Sequence, residues 1–235
     1  MKKFLSVFLF FLTLSVYLYT LAPSVAPQGD SGELVTVAYT LGIAHPPGYP
    51  LYTLLAHLFT KIPFGSVAWR VNLFSAVCHS LTVVVVYWII LKIFQEFKKL
   101  EQHIIAAFTS LILAFSYTFW LYSLVAEVFA LNDLIAVLII WVVITNRPLW
   151  LLAFLFGLGM SNHHTIVLLL PAVIYYVFKN QKSKIKTKVQ SSKTLLPLNL
   201  ALRFDFCVLS TLCKTTIYFI LGLTPYIYIL WRSRT

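Results

Sequence analysis

Long apolar runs, each closed by a small cluster of charge or by proline, set the plan of this chain. The first follows Met1-Lys2-Lys3 and covers residues 4–22. Further runs cover about 70–91, 104–121 and 125–144, each close to the ~20 residues a membrane-crossing helix needs. A fifth starts near Leu149 and is interrupted over Gly157–Thr165, and a short sixth follows over 165–178. A last run covers 207–231 and ends at Trp231-Arg232. The pattern predicts an all-α polytopic membrane protein, a helical bundle of about seven spans.

Residues 23–66 break that rhythm. They hold Gly, Pro, His and two acids between moderately apolar stretches. Val35–Leu41 and Leu51–Ile62 are expected as short interfacial helices, separated by the turn His45-Pro46-Pro47-Gly48-Tyr49-Pro50. The expected organisation is a membrane core over 1–178 with its long first outer loop at 23–66, a basic cytosolic linker at 179–205, and a final span at 206–235. The first run is longer than a signal-peptide core, although Ser24-Val25-Ala26 has the small-x-small form of a cleavage site; a retained anchor is the preferred reading.

Composition agrees with the pattern. Hydrophobic residues make up 60% of the chain and charged residues 11%, and the mean hydropathy is +0.87. The net charge of +11 is a topology signal, not a nucleic-acid footprint. Lys2 and Lys3, Lys92 to Lys99, and the lysines of 179–193 flank apolar runs on one side, as the positive-inside rule requires. No motif of a nucleic-acid-binding module accompanies them. Cys78, Cys207 and Cys213 lie in apolar sequence without metal spacing and read as buried small side chains.

Ionisable residues at membrane depth or at its edge default to functional candidates. Of seven acids, Asp30 and Glu33 fall within Gly29-Asp30-Ser31-Gly32-Glu33. Asp30 reads as a general base on a hydroxyl or as an oxygen ligand of a metal. The same pair also fits a helix N-cap with its capping-box partner. His45 and Tyr49 stand in the proline-rich turn, and His45 either meets a phosphate or sugar or braces the loop. Arg70 either snorkels to headgroups or pairs with a phosphate. Asn72 lies two residues beyond and is a further candidate. Glu127, in an apolar run, needs a partner, with Arg70 or a histidine the economical choice. Asn162, His163 and His164 follow glycines that are expected to open the helix beside a cavity. Adjacent histidines diverge on a helix, so this pair does not suggest a metal centre. P-loop, G-x-S-x-G, CxxC and zinc-protease patterns are absent, and no resident cofactor is specified.

Several strings together are distinctive: Gly29-Asp30-Ser31-Gly32-Glu33-Leu34, Ala38 through Tyr52 with its His-Pro-Pro-Gly-Tyr-Pro turn, Ala68-Trp69-Arg70-Val71-Asn72-Leu73, Ala126-Glu127-Val128-Phe129-Ala130-Leu131-Asn132 and Gly157-Leu158-Gly159-Met160-Ser161-Asn162-His163-His164-Thr165. They resemble the transmembrane protein 260 family, over about residues 5–178 and again near Gly222–Trp231. Its animal member is a protein O-mannosyltransferase of the endoplasmic reticulum, and its bacterial members are known only as a membrane domain of unknown function. The family in turn is similar to the GT-C superfamily of glycosyltransferases that use lipid-linked sugars. The resemblance implies a GT-C bundle, a polyprenyl-phosphate sugar as donor, and a protein or glycan hydroxyl as acceptor on the outer or luminal face. It implies Asp30 as the catalytic base with Glu33 as helper, and His45, Tyr49, Arg70, Asn72, Glu127, Asn162, His163 and His164 as substrate-binding residues. Many GT-C enzymes need no metal and others do, so the resemblance assigns no metal ligand and leaves a divalent ion open. Family members continue beyond the point where this chain stops, so a truncated form is expected. The competing classes are a lipid or solute transporter (a flippase), and a non-catalytic membrane partner. The one-sided clustering of polar residues and the lack of an inverted repeat disfavour the transporter.

Overall fold

The computed structural model describes residues 1–27, 29–176 and 197–234, with side chains up to 176 and again from 210. The lysine cluster of 179–193 and the Cys207 side chain lie outside the described residues. All regular structure among the described residues is helical. In chain order the helices are α1 (Lys2–Thr20), α2 (Ser31–Thr40), α3 (Pro50–Thr60), α4 (Val67–Ile93), α5 (Lys99–Ala114), α6 (Tyr117–Ser123), α7 (Phe129–Ile144), α8 (Leu149–Asn162), α9 (His164–Tyr176, opening with a 3-10 turn), α10 (Pro197–Gly222) and α11 (Pro225–Arg232). The two short loop helices fall where the pattern places them, and α10 begins inside the stretch read as linker.

Two helices among the described residues, α1 and α4, are long and apolar enough to cross a membrane. The count rises to four if α5–α6, bent by 68°, and the Ser210–Gly222 part of α10 with α11, bent by 45°, each form one span. Helices α7, α8 and α9 are apolar but shorter. At 1.5 Å per residue the 16 residues of α7 reach about 24 Å, against ~30 Å of hydrocarbon. Length alone therefore does not make seven spans, because loops and the bends after Ala114 and at Thr224 take residues that the apolar runs seemed to offer.

Helix α4 is the axis of the molecule. It packs against α1, α2, α3, α5, α6 and α7, and Val71, Phe74, Cys78, Val83, Tyr87 and Leu91 along it are buried. One of its buried polar residues, His79, faces two neighbouring helices. His79 is 1% exposed, its Nδ1 lies 2.8 Å from Ser123 Oγ on α6, and its Nε2 lies 3.4 Å from an Asp133 carboxylate oxygen on α7. Ser123 Oγ donates to Phe119 O, so the imidazole is the donor to Ser123. One side chain thus bonds α6 and approaches an acid on α7. Cys78 is buried as expected, whereas Cys213 is exposed.

The second close association is α8 on α10. Gly157 does not open α8, contrary to the expectation from its glycines; the helix runs unbroken to Asn162. A side chain at Gly157 would overlap the Phe219 carbonyl and the Gly222 backbone. The glycine therefore permits the backbones of α8 and α10 to touch, which in apolar surroundings is how helices associate. The chain breaks four residues after Gly159, at His163 (φ −152°, ψ 131°).

The bundle has two distinct ends. Lys2 Nζ lies 5.5 Å from the ring centroids of both Trp88 and Trp141, so the start of α1 meets the late turns of α4 and α7. The start of α4, the start of α7 and the end of α8 lie at the other end, beside α2 and α3.

A carboxylate–imidazole site at one end of the bundle

The site is assembled on the α2–α3 loop. Asp30 precedes α2 and Glu33 sits in its first turn. Glu33 does not close a capping box, and the Asp30 side chain makes no cap bond. Instead Glu33 reaches across to His45: Oε1 accepts from the His45 backbone N–H at 2.6 Å, and Oε2 lies 2.7 Å from His45 Nδ1. A carboxylate only accepts, so Nδ1 carries a proton and Nε2 faces outward. Nε2 is 2.9 Å from the Tyr49 hydroxyl and 3.8 Å from an Asp30 carboxylate oxygen. Tyr49 reaches this position from left-handed backbone, φ +42°, a conformation that costs a non-glycine residue about 1–2 kcal/mol.

Glu127, in the linker before α7, accepts from the Asp30 backbone N–H at 3.0 Å. Its partner is thus a peptide group, not Arg70 or a histidine. Gly29 makes the approach possible: its φ is +68°, and a side chain there would overlap Glu127 Oε1. His163, at the break after α8, stacks on Tyr49 with centroids 5.8 Å apart and planes 4° from parallel. Its Nδ1 accepts from the Thr165 N–H and lies 2.7 Å from the Thr165 hydroxyl, which leaves Nε2 as the ring nitrogen bearing hydrogen.

These contacts move the charge states in opposite directions. The hydrogen bond from His45 pulls the Glu33 carboxyl below its ordinary range. The same bond, with the nearby charges of Glu33, Asp30 and Glu127, raises His45. Desolvation raises Glu127, and the Asp30 charge adds to it. Burial, then the neighbouring His164, lowers His163. One imidazole is biased toward the cation and the other toward the neutral ring, a division that commonly separates acid from base at a reaction centre.

Asp30, Glu33, His45, Tyr49, Glu127 and His163 are therefore brought together. The remaining sequence candidates stand apart from them. Arg70 bonds the carbonyls of Thr60, Phe64 and Gly65 and clamps the α3–α4 turn. Asn72 donates to Ala22 O and Ser24 O, fixing the segment after α1. Asn162 donates to Val128 O, tying α8 to the linker that carries Glu127. His164 turns to the Tyr226 hydroxyl at 3.0 Å. Helix α11 was not suspected from the sequence as a support, yet Tyr228 and Arg232 bond the carbonyls of Gly42 and Leu41 at the end of α2. No local signal announces contacts across 186 and 191 residues.

Asp30, Glu33 and His45 offer ligand atoms within 4.8 Å of one another, a spacing that could hold a cation. Both Glu33 oxygens already accept protons from His45, so the donor set fits proton transfer more directly than metal binding.

An all-helical protein with membrane-length apolar helices and a carboxylate–imidazole cluster at one end of its bundle is the class these features define. Residues 30–186 match the family described as protein O-mannosyl-transferase TMEM260 N-terminal domain, and the chain belongs to that family. It is 34% identical over 236 residues to the Mus musculus protein named protein O-mannosyl-transferase TMEM260, covering 95% of this chain and 30% of the relative. It is 27% identical over 244 residues to the Dictyostelium discoideum protein of the same name, covering 94% and 26%. The chain thus spans less than a third of the length of either relative. No solved structure matches it.

Proposed function

We propose that this chain forms the membrane core of an O-mannosyltransferase of GT-C type, with the carboxylate–imidazole cluster as its reaction centre. The two long helices, the two bent pairs and the three shorter apolar helices would together make about seven spans, with the cluster on the outer or luminal side. The donor is a mannose carried on a polyprenyl phosphate and the acceptor is a protein hydroxyl. The observation that carries this reading is the Asp30 carboxylate, 3.8 Å from an imidazole nitrogen whose ring is held by Glu33.

In the proposed reaction Asp30 takes the proton of the acceptor hydroxyl. The acceptor oxygen forms its bond to the anomeric carbon as the bond from that carbon to the phosphate oxygen breaks. The lipid phosphate leaves with the electron pair, and the configuration inverts. Glu33 biases His45 toward the cation, and His45 contributes positive charge near the departing phosphate. His163 supplies a neutral N–H donor. Glu127 fixes the Asp30 backbone. A cavity of about 600 Å³ between α8, α9 and α10, lined by side chains such as Leu152, Phe156, Val173 and Phe219, suits the lipid chain. Arg70, Asn72, Asn162 and His164 act as braces of the site.

The full chain, reconstituted in liposomes with radiolabelled polyprenyl-phosphate mannose and serine- or threonine-containing peptides, tests the reading. Asp30→Asn is expected to lower transfer by 10²-fold or more, the range of general-base contributions. Unchanged transfer in that variant overturns the assignment, and lipid movement across the bilayer without transfer supports a flippase instead.

A further inference from the structure

A second cavity opens beside the reaction centre. It has a volume of about 680 Å³ and lies between the segment after α1 and the turn joining α6 to α7. That volume is within the ~300–1,000 Å³ usual for ligand sites. Asp30 and Glu127 stand in its wall, while the rest is mainly aliphatic and aromatic: Val25, Leu121, Tyr122 and Phe129 are examples. Tyr122 and Phe129 meet edge to face, with centroids 5.0 Å apart. Among the described residues that line it there is no Lys, Arg or His.

This charge pattern selects between the two substrates. A phosphate brought into this cavity would meet two carboxylates in its wall and no cationic side chain among the described lining residues, which is unfavourable in apolar surroundings. A neutral hydroxyl is suited to the same place, since it can donate to a carboxylate while its surroundings stay apolar. Both histidines of the cluster lie outside this wall, so positive and neutral donors face another approach to Asp30. Resting on the reading of Asp30 as the base, we infer that this cavity is the acceptor site, and that it takes an extended polypeptide whose serine or threonine is flanked by apolar side chains. The lipid phosphate enters from the His45 and His163 side. An aliphatic wall favours a peptide over a glycan, whose many hydroxyls would lose water without compensating bonds.

Fluorescence anisotropy with short labelled peptides tests this on the full chain in nanodiscs. One peptide has a serine between valines, a second has it between aspartates. The valine peptide is expected to bind at least tenfold more tightly than the aspartate peptide. Asp30→Asn should retain peptide binding while losing transfer. Val25→Trp and Leu121→Trp, which fill the cavity, should weaken peptide binding tenfold or more and leave the KM for polyprenyl-phosphate mannose unchanged. Leu121→Ala guards against misfolding as an explanation: it should gain affinity for a peptide with phenylalanine beside the serine. The inference is overturned if the tryptophan variants raise the donor KM with peptide binding intact, if the two peptides bind equally or not at all, or if a neutral oligosaccharide displaces the valine peptide. Absence of transfer by the wild type would sink the enzymatic reading instead, and the anisotropy result would still decide the cavity.

Discussion

Replacing Glu33 by Gln removes one negative charge and leaves the side chain's shape nearly unchanged. In the wild type the carboxylate accepts two bonds from the same residue, at 2.6 and 2.7 Å. In the glutamine one of those two oxygens becomes an NH2 group, which only donates, so one His45 donor faces a donor in this geometry. A charge-assisted bond is worth about 1.5–3 kcal/mol when sheltered. Here the side chains of Glu33 and His45 are 38% and 40% exposed, so solvent screening reduces the pair to roughly 0.5–1 kcal/mol. The pH dependence gives the sharper test. Glu33 is lowered on folding, so its contribution is full above its ordinary value of 4.5 and is lost as pH falls through the depressed value. His45 is raised, so its contribution is full below its ordinary value of 6.5 and is lost as pH rises through the raised value. The pair therefore stabilises the loop most between those two ordinary values. Histidine NMR on labelled protein in nanodiscs should show His45 titrating above its ordinary value in the wild type. Its midpoint should fall in Glu33→Gln, and the alkaline limb of the transfer activity should move down with it. A His45 midpoint that does not move on substitution would falsify the coupling.

Three other substitutions probe the supports. Gly29→Ala must hold an alanine at φ +68° and displace the Glu127 carboxylate; it should cost about 1–2 kcal/mol, read by thermal unfolding, and lower transfer with little change in donor KM. Gly157→Val forces α8 away from α10 and should destabilise by about 1–3 kcal/mol, with a cysteine pair engineered across the two helices crosslinking more slowly. Arg70→Lys cannot reproduce bonds to three carbonyls from one ammonium; the unfolding temperature should fall while the KM for the lipid-linked sugar stays constant. A raised donor KM in that variant would return Arg70 to the substrate.

The apolar runs and their basic flanks are legible without a structure because lipid is an exacting solvent. It demands long uncharged segments and helical backbone, and both are written as local composition. The proline pair and the glycines around Asp30 likewise mark a loop between two short helices, since their effects act within a few residues. The capping-box reading of Asp30 and Glu33 shows the limit of such reasoning. The spacing allowed it, yet the fold brought the His45 backbone and ring within reach of the same carboxylate, and two charged-assisted bonds displaced one local cap.

Sequence alone determined the helical class, the loop that bears Asp30, and the short list of polar residues worth attention. These follow from the cost of charge in an apolar chain and from backbone stereochemistry, which are properties of neighbours along the chain. Only the tertiary structure decided which of those residues meet. It drew Glu127 to a peptide group 97 residues away, stacked His163 on Tyr49 from a distant part of the chain, and occupied Arg70 with nearby carbonyls. Such partnerships depend on how helices pack in space, and packing is fixed by contacts between distant segments that no local pattern records.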